Sequence, residues 1–507
     1  MSDELPSDEL RRAVKHVIEL VTAGREAEAV EKLVSYPAHG KETRDLLIRT
    51  VISTGQYYQD APLTRAALRA FERIKQRAKP DPNYYYDVAN GYQVLYQDGA
   101  GPRGEHAFEM GKEVNAAIKY FARVDRPEAR TNLGNLLDSV GRPLEALGAY
   151  RAALQLDPEF GMAWGNAGIT LEHLATSGQY SGGLLVYAYQ LLQESLDHAS
   201  SVLNVGGELA LTSFLEAQDR INAHFVEHGQ QELLDEIHPL DPRDNTGESD
   251  FVRFYTDLCL ERDLYLNLHL MAPEAAASVG DTYLPTFIST VTEGDDVFRD
   301  VAFRLNEIHE TYASARYFFA RSQYSDPDTR EISEQTTLIN TLDYAASNLY
   351  VGLLKSAYKE AFSTLDKLAV LLNHYLDIGH DEDRVYYGNV WFDPDETNSM
   401  RISEPVRAAG HRLLGTYLLC LELRGSRFSH LRNAMTHRYA RVFRGGPVPK
   451  GGYDFEKLVD LTAEVLFKVK CGVIYVSQFI HASEMQKFSG KTVGELPAWT
   501  NQNLDLW

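Results

Sequence analysis

The sequence is poor in features that define several large classes of proteins. Its 507 residues hold only 3 cysteines (Cys259, Cys420 and Cys471), with no C-x-x-C pair, which excludes a disulfide framework and favours a reducing cytosol. No uncharged apolar run reaches the ~18 residues of a membrane span, so no membrane partner is predicted. The acidic first residues lack the apolar segment of a secretory signal, and we expect a cytoplasmic protein.

Positive charge is also scarce. The chain has 50 Lys and Arg against 72 Asp and Glu, a formal charge of −22, which argues against an extended nucleic-acid-binding surface. A site for a polyanion would have to be local. Apolar residues make up 44% of the chain, so it is globular, and its length predicts several domains.

One segment has the spacing of a helical repeat. Residues 129–158 read ARTNLGNLLDSVGRPLEALGAYRAALQLDP. Two antiparallel helices can touch here because small residues face large ones, and Pro158 stops the second helix; the small residues are Gly134, Ala146 and Ala153, and the large ones are Leu137 and Tyr150. The segment resembles a tetratricopeptide (TPR) repeat, and Gly168, 34 residues after Gly134, opens another.

Weaker copies of this pattern extend over residues 8–200. We therefore predict a TPR-like solenoid in residues 1–235, with a groove for a peptide or protein ligand. The alternative is a coincidental helical hairpin. Residues 236–250 (EIHPLDPRDNTGESD) lose any helical period and are predicted to be a linker, which leaves a second domain at 251–507.

Long helical patterns return after the linker. They cover residues 251–264, 297–321, 337–376, 404–423, 428–443 and 455–481. Breaks rich in Gly, Pro and Asp separate them, and no comparable strand-type alternation is present. The predicted fold class is all-α, a TPR-like helical solenoid followed by a helical bundle.

One window departs from the acidic charge of the whole chain. Between Leu423 and Tyr453 there is no Asp or Glu, while 7 Arg and Lys residues are present. Such segregation indicates a site for a polyanion within an acidic surface. The alternative is a solvated cationic helix face that pairs with acids elsewhere in the chain.

Within this window, polar residues recur at helical spacing. They are Arg427, His430, Asn433, His437, Arg441 and Arg444, which would form one stripe on a single helix. Leu431, Met435 and Val442 lie off the stripe and are expected to face a core. The pattern therefore predicts a rigid helix that carries the site.

The residues RNAMTH at 432–437 resemble the R-x(4–6)-H motif of the HEPN superfamily. Further stretches resemble a TPR-linked prokaryotic HEPN subfamily: Leu264–Asn267, Glu310–Tyr317, Leu365–Ala369 and Asn389–Trp391. The resemblance covers most of residues 250–485. It implies a metal-independent endoribonuclease that acts as a homodimer or higher oligomer, with the two motif helices meeting in one cleft.

The residue types suit this chemistry. Attack by the 2′-hydroxyl of RNA needs a group that moves a proton near neutral pH, which His437 can do. Arg432 can stabilise the charge that develops on the phosphate, and Asn433 could orient the imidazole or contact RNA. The remaining cations of the window would bind the RNA backbone: Arg427, His430, Arg438, Arg441 and Arg444.

Tyr439, two residues after His437, extends the resemblance to HEPN toxins whose tyrosine is adenylylated by a partner nucleotidyltransferase antitoxin. The alternative is a tyrosine that packs at the edge of the bundle. By analogy, the first domain would regulate the nuclease in a toxin or antiviral defence system. A second hypothesis is a non-catalytic TPR/HEPN adaptor that dimerises and binds protein or nucleotide.

Competing signals are weaker. His224, Glu227 and His228 match the H-x-x-E-H pattern of zinc peptidases, but no third ligand is evident in a following helix. No phosphate-binding loop or nucleophile elbow is present. We therefore predict no metal and no cofactor.

Overall fold

The computed structural model describes residues 8–36, 41–75, 82–102, 104–177, 182–235, 246–271, 278–283, 296–339, 343–394 and 401–487. Within these ranges the chain forms 21 helices and one small sheet of 3 strands. The all-α fold class is confirmed. In these same ranges, no helix has both the length and the apolar character needed to cross a membrane.

The chain divides into two compact units. The first unit comprises residues 1–167 and 194–214, and the second comprises residues 168–193 and 215–507. Residues 236–245 of the predicted linker lie outside the described residues. The predicted limits 1–235 and 251–507 stay predictions.

Helices account for nearly all regular structure up to residue 235. They are α1 (Asp8–Thr22), α2 (Glu26–Ser35), α3 (Lys41–Tyr58), α4 (Ala61–Ile74), α5 (Pro82–Ala100), α6 (Gly111–Phe121), α7 (Pro127–Ser139), α8 (Pro143–Leu156), α9 (Gly161–Ser177), α10 (Gly182–Asp197), α11 (Ala199–Val205), α12 (Gly207–Glu227) and α13 (Glu232–Asp235). Neighbouring helices pack in pairs, as in α3 with α4, α5 with α6 and α7 with α8.

The clearest predicted repeat is a helical hairpin. Helices α7 and α8 both begin with a proline, where the missing N–H has no intrahelical partner to lose, and Gly141 turns the chain between them at φ +77°. A Cβ added at Gly134 would lie 2.3 Å from the ring of Tyr150, so only glycine permits this approach. The helical hairpins of the first unit are consistent with a TPR-like solenoid.

After residue 246 the elements are α14 (Asp250–Glu261), α15 (Asp296–Arg321), α16 (Pro327–Glu334), β1 (Ala345–Ala346), α17 (Leu349–Leu376), α18 (Glu404–Ala409), α19 (His411–Leu423), α20 (Ser426–His437), β2 (Val442–Phe443), β3 (Tyr453–Asp454) and α21 (Phe455–Lys487). Helix α17 packs against both α15 and α21, and α19 also packs on α21. Helix α21 is buried around most of its circumference because its residues are apolar on most sides. These helices form the core of the predicted bundle.

Two predicted helices are shorter than expected. The pattern at 337–376 becomes helical only at Leu349, where the side chain of Asn348 accepts a hydrogen bond from the N–H of Val351 at 2.9 Å. The pattern at 428–443 ends at His437. Helical periodicity continues past each true end, so sequence alone does not locate these boundaries.

The small sheet explains where the second of these helices stops. Strand β2 pairs antiparallel with β1, through Ala345 with Phe443, and parallel with β3, through Val442 with Tyr453. Val442 and Phe443 are fully buried as strand residues. The loop at residues 444–452 therefore connects β2 to β3.

Candidate functional site

Helix α20 is anchored by its apolar side, which leaves its polar side outward. Phe428 and Leu431 are buried, and the hydroxyl of Tyr358 on α17 donates a hydrogen bond to the carbonyl of Phe428 at 3.0 Å. His430 and Asn433 are exposed. The helix thus holds the RNAMTH motif at the surface of the bundle.

Arg432 is held against α17. One of its terminal nitrogens donates to Oδ2 of Asp366 at 2.5 Å, and its guanidinium carbon lies 5.4 Å from the ring centroid of Phe362. The Arg432 side chain is 34% exposed. Its donors beyond this one contact with Asp366 are available to a ligand, and the position of the cation is fixed by two residues one turn apart on α17.

Asp366 is the site residue that sequence reasoning missed. Its Oδ1 accepts a hydrogen bond from the backbone N–H of Tyr387 at 3.1 Å, which holds the carboxylate in place. Burial raises the pKa of Asp366, while the charge of Arg432 and the N–H of Tyr387 act in the opposite direction. The signal was present, because Asp366 lies inside the Leu365–Ala369 stretch that resembles the HEPN family, but no role had been assigned to it.

His437 is the last residue of α20, and its side chain lies outside the described part of the structure. Asn433 precedes it by four residues and therefore lies on the same face of the helix. Arg432 precedes it by five residues, about 140° around the helix axis. Arg432 and His437 therefore occupy different sides of the α20 backbone.

The predicted RNA-binding cations fall into two groups. Arg427 pairs with Glu464, whose pKa is raised chiefly by burial, and Arg444 lies 3.9 Å from Glu456. The remaining three, His430, Arg438 and Arg441, have exposed side chains with no hydrogen bond or ion pair to the rest of the described chain. Three of the predicted RNA-binding residues are therefore available, and the other two already have acidic partners.

The predicted polar stripe on a single helix is wrong for its last two members, Arg441 and Arg444, because α20 ends at His437. Arg441 and Arg444 flank β2, and the carbonyl of Arg441 accepts a hydrogen bond from the N–H of Tyr453 at 2.9 Å. Val442, predicted to face a core, is buried, but it is buried from a strand. The cationic segment is therefore a helix end followed by a strand, not a continuous helix.

Tyr439 is the most exposed aromatic residue of this segment. Its side chain is 98% exposed, directly after the C-cap of α20. The structure therefore places it in solvent, and the alternative in which it packs at the bundle edge is wrong. Its modification stays a prediction.

The alternative zinc motif has a local explanation. Nδ1 of His228 lies 2.8 Å from the backbone carbonyl of His224, so this ring nitrogen is engaged within the helix end. Across the described ranges, no group of three or more His, Cys, Asp or Glu side chains is placed to hold a metal ion.

The bundle and its motif helix correspond to a known class. The second unit contains a domain of the HEPN class, which is in general a ribonuclease fold. More narrowly, residues 293–483 match the family model described as LA2681-like HEPN, which confirms the resemblance to HEPN proteins; the resemblance of the first unit to TPR repeats stays a prediction. This segment includes α15, α17, α20 and α21, and with them Asp366, Arg432 and His437. No curated protein matches the chain.

Proposed function

We propose that the second unit is a metal-independent endoribonuclease that acts as a homodimer. His437 is the general acid or base, and Arg432 stabilises the charge of the phosphate in the transition state. The observation that carries this proposal is the fixed position of Arg432, held by Asp366 and Phe362 on a HEPN-type bundle beside exposed cations.

The reaction follows from the groups present. The 2′-oxygen of the RNA attacks the adjacent phosphorus, and the bond from phosphorus to the 5′-oxygen breaks. The products are a 2′,3′-cyclic phosphate and a 5′-hydroxyl. One histidine accepts the proton of the 2′-hydroxyl or supplies one to the leaving 5′-oxygen, and the guanidinium binds the non-bridging oxygens as their charge grows.

A dimer supplies what one α20 helix lacks. Because positions 432 and 437 lie about 140° apart around the axis of one helix, a second copy of α20 offers a way to present both groups to one phosphate. His430, Arg438 and Arg441 would bind neighbouring phosphates without reading the bases. Asn433 would orient the imidazole or contact the RNA.

The direct experiment incubates the full-length protein with end-labelled tRNA and total RNA in EDTA. We expect cleavage with cyclic phosphate ends, reduced about 1,000-fold or more in His437→Ala and in Arg432→Ala. Matched controls are His16→Ala on α1 and Arg384→Ala, both at exposed positions outside the site. Equal cleavage by the wild type and the Arg432→Ala, His437→Ala double variant would refute the site assignment.

The proposed context is a toxin or antiviral defence system in which the first unit controls the nuclease and binds a peptide or protein. Tyr439 would be the switch, because an adenylyl group on an exposed side chain beside the motif adds a negative charge where RNA must bind. Co-expression with a nucleotidyltransferase encoded beside it, followed by mass measurement of the peptide that contains Tyr439, tests this. An unmodified peptide from such a pair would contradict it.

One observation favours the second candidate, a non-catalytic adaptor that dimerises and binds protein or nucleotide. Arg427, Arg432 and Arg444 already have carboxylate partners from α21 or α17, as expected of a structural cationic face. Absence of RNA cleavage together with a stable dimer would support the adaptor.

A further inference from the structure

A polar cavity of about 260 Å³ lies within the first unit. Its lining comes from α3 and the turn after it, from α5 and from α7: Gln56, Gln59, Asn90, Gln93, Val94, Gln97, Asn132 and Asn135. Of these 8 residues, 7 are Asn or Gln, and none of these described lining residues is charged or aromatic. This composition differs from the mostly apolar lining of ordinary small-molecule pockets.

The carboxamides are grouped by helical geometry. Asn90, Gln93 and Gln97 repeat at intervals of three and four residues and therefore share one face of α5. Asn132 and Asn135 do the same on α7. Each of the three helices begins one of the helical pairs of this unit, so the cavity lies along the first helices of three successive pairs.

Contacts with neighbouring side chains fix two of these carboxamides. Asn135 accepts with Oδ1 from the hydroxyl of Tyr150 at 2.9 Å and from Nδ2 of Asn166 at 2.8 Å, which leaves its own Nδ2 to donate. Asn132 donates with Nδ2 to the hydroxyl of Tyr86 at 2.9 Å, which leaves its Oδ1 to accept. The cavity thus presents a donor and an acceptor in fixed positions on α7.

The α5 side is adaptable. Gln93 and Gln97 make no side-chain hydrogen bond with any described residue, and each carries both a carbonyl oxygen and an NH₂ group. Such groups can turn to match a partner that has donors and acceptors in alternation. The cavity therefore combines a fixed wall with an adjustable one.

The lining indicates the chemical class of the ligand. Without a cation, a carboxylate or phosphate would lose its hydration with no charged partner. Without an aromatic ring, a nucleobase would lack the stacking surface on which its recognition usually depends. The remaining ligand class is a peptide main chain, because each peptide group presents an N–H and a C=O that a carboxamide can match. The segment must be extended, since a helix already pairs these groups internally.

We propose that this cavity binds the main chain of an uncharged, extended peptide segment that lies away from the two ends of a partner chain. From Asn90 to Gln97, α5 rises by about 10 Å, the length of about three extended residues. The inference deepens the proposed regulation and rests on the proposal that the first unit binds a peptide or protein. The peptide-binding test involves no RNA cleavage. A negative result in that test therefore does not bear on the proposed nuclease, and a negative cleavage result does not bear on peptide binding.

The test uses fluorescein-labelled short peptides, N-acylated and C-amidated, with the full-length protein and fluorescence anisotropy. One pool contains only uncharged residues, and two others add Asp and Glu or Lys and Arg. We expect the uncharged pool to bind most tightly. N-methylation of central main-chain amides in its best binder should weaken binding about tenfold, because it removes the donors that the carboxamides accept.

Variants locate the site. Gln93→Leu with Gln97→Leu should weaken the best peptide about 30-fold, while Gln97→Leu alone, at an exposed position, should weaken it about fivefold and preserve the helical circular dichroism. Gln155→Leu on α8, an exposed carboxamide outside the cavity, is the matched control and should bind as the wild type does. Unchanged binding in the double variant, insensitivity to N-methylation, or preferred binding of oligoadenylate would overturn the proposal.

Discussion

Helices α20 and α21 follow one another in the chain and both carry basic residues, but in opposite surroundings. On α20, His430 is exposed and Arg427 is mostly exposed, whereas on α21 Lys468 is 8% exposed and Lys470 only 1%. Lys468 has Glu422 at 2.8 Å, but Lys470 has no hydrogen-bond or ion-pair partner among the described residues.

This difference shows that a positive charge indicates a binding site only where it is accessible. On α21, burial lowers the pKa of Lys470 to about 8. The positive charge of Arg316 also lowers this pKa, whereas the negative charges of Asp263 and Asp281 raise it. On α20 the cations can meet an anion from outside the chain. The same type of residue is costly to stability in one helix and available for function in the other.

The largest expected effect concerns Lys470→Met, which removes the buried charge. Because the pKa falls from 10.5 in the unfolded chain to about 8 in the fold, ionised Lys470 destabilises the fold below pH 8 by about 3 kcal/mol. The wild type becomes more stable as pH rises from 8 to 10.5, since the unfolded state then binds more protons. The variant should show a higher thermal midpoint at pH 7 and a smaller difference from wild type at pH 10.5.

A lower midpoint in Lys470→Met at pH 7 would show that the amine contributes to packing more than its burial costs. Lys457→Met, at an exposed position near the start of the same helix, is the control and should leave the midpoint and its pH dependence unchanged.

On α20, we expect Arg432 to matter for the rate of RNA cleavage. Arg432→Lys keeps the charge but loses the planar fork that bonds both Asp366 and a phosphate, so kcat/KM for RNA cleavage should fall about 100-fold. Arg384→Lys is the matched control. Wild-type kinetics in Arg432→Lys would show that Arg432 acts only as a point charge.

Asp366→Asn tests the proposal that Asp366 positions Arg432 and does not itself act on the RNA. The amide keeps an acceptor near Arg432 but loses the charge, so kcat should fall about tenfold with little change in KM. Asp366→Glu should recover part of the loss. A change confined to KM, or a loss that Glu does not rescue, would contradict the positioning role.

The smallest effect is electrostatic. Arg438→Ala and Arg441→Ala should each weaken single-stranded RNA binding and reduce the slope of log K against log salt by about 0.7, as expected for one lost phosphate contact. Arg330→Ala on α16, an exposed arginine outside the segment, is the control. An unchanged slope in the Arg438 and Arg441 variants would show that these cations do not meet phosphates.

Much of the fold was predictable because its information is local. Helical periodicity located the long helices of the bundle, and the close packing of small against large residues in the α7–α8 hairpin followed from repeat spacing. The sheet was not predictable, since its strands have two residues each and β1 lies about a hundred residues before β2. Pairs so short and so distant leave no period in the sequence.

In the site, too, local features were predictable and contacts between distant residues were not. Arg432 and Asn433 were found because the motif is contiguous along one helix. The contact between Asp366 and Arg432 joins residues on different helices, 66 positions apart, and only the packing of α17 against α20 creates it. The sequence also did not show which basic residues are paired with acids, because the partners of Arg427 and Arg444, Glu464 and Glu456, come from α21.

The position of β2 limits how this protein can change. Residues 438–441 connect the end of α20 to a strand that is hydrogen-bonded on both edges. Deleting one of them would either draw Arg444 into the place of buried Phe443 or unwind α20 at His437. The length of this stretch is therefore constrained independently of its side chains, and relatives that conserve the motif should conserve the number of residues from His437 to Val442.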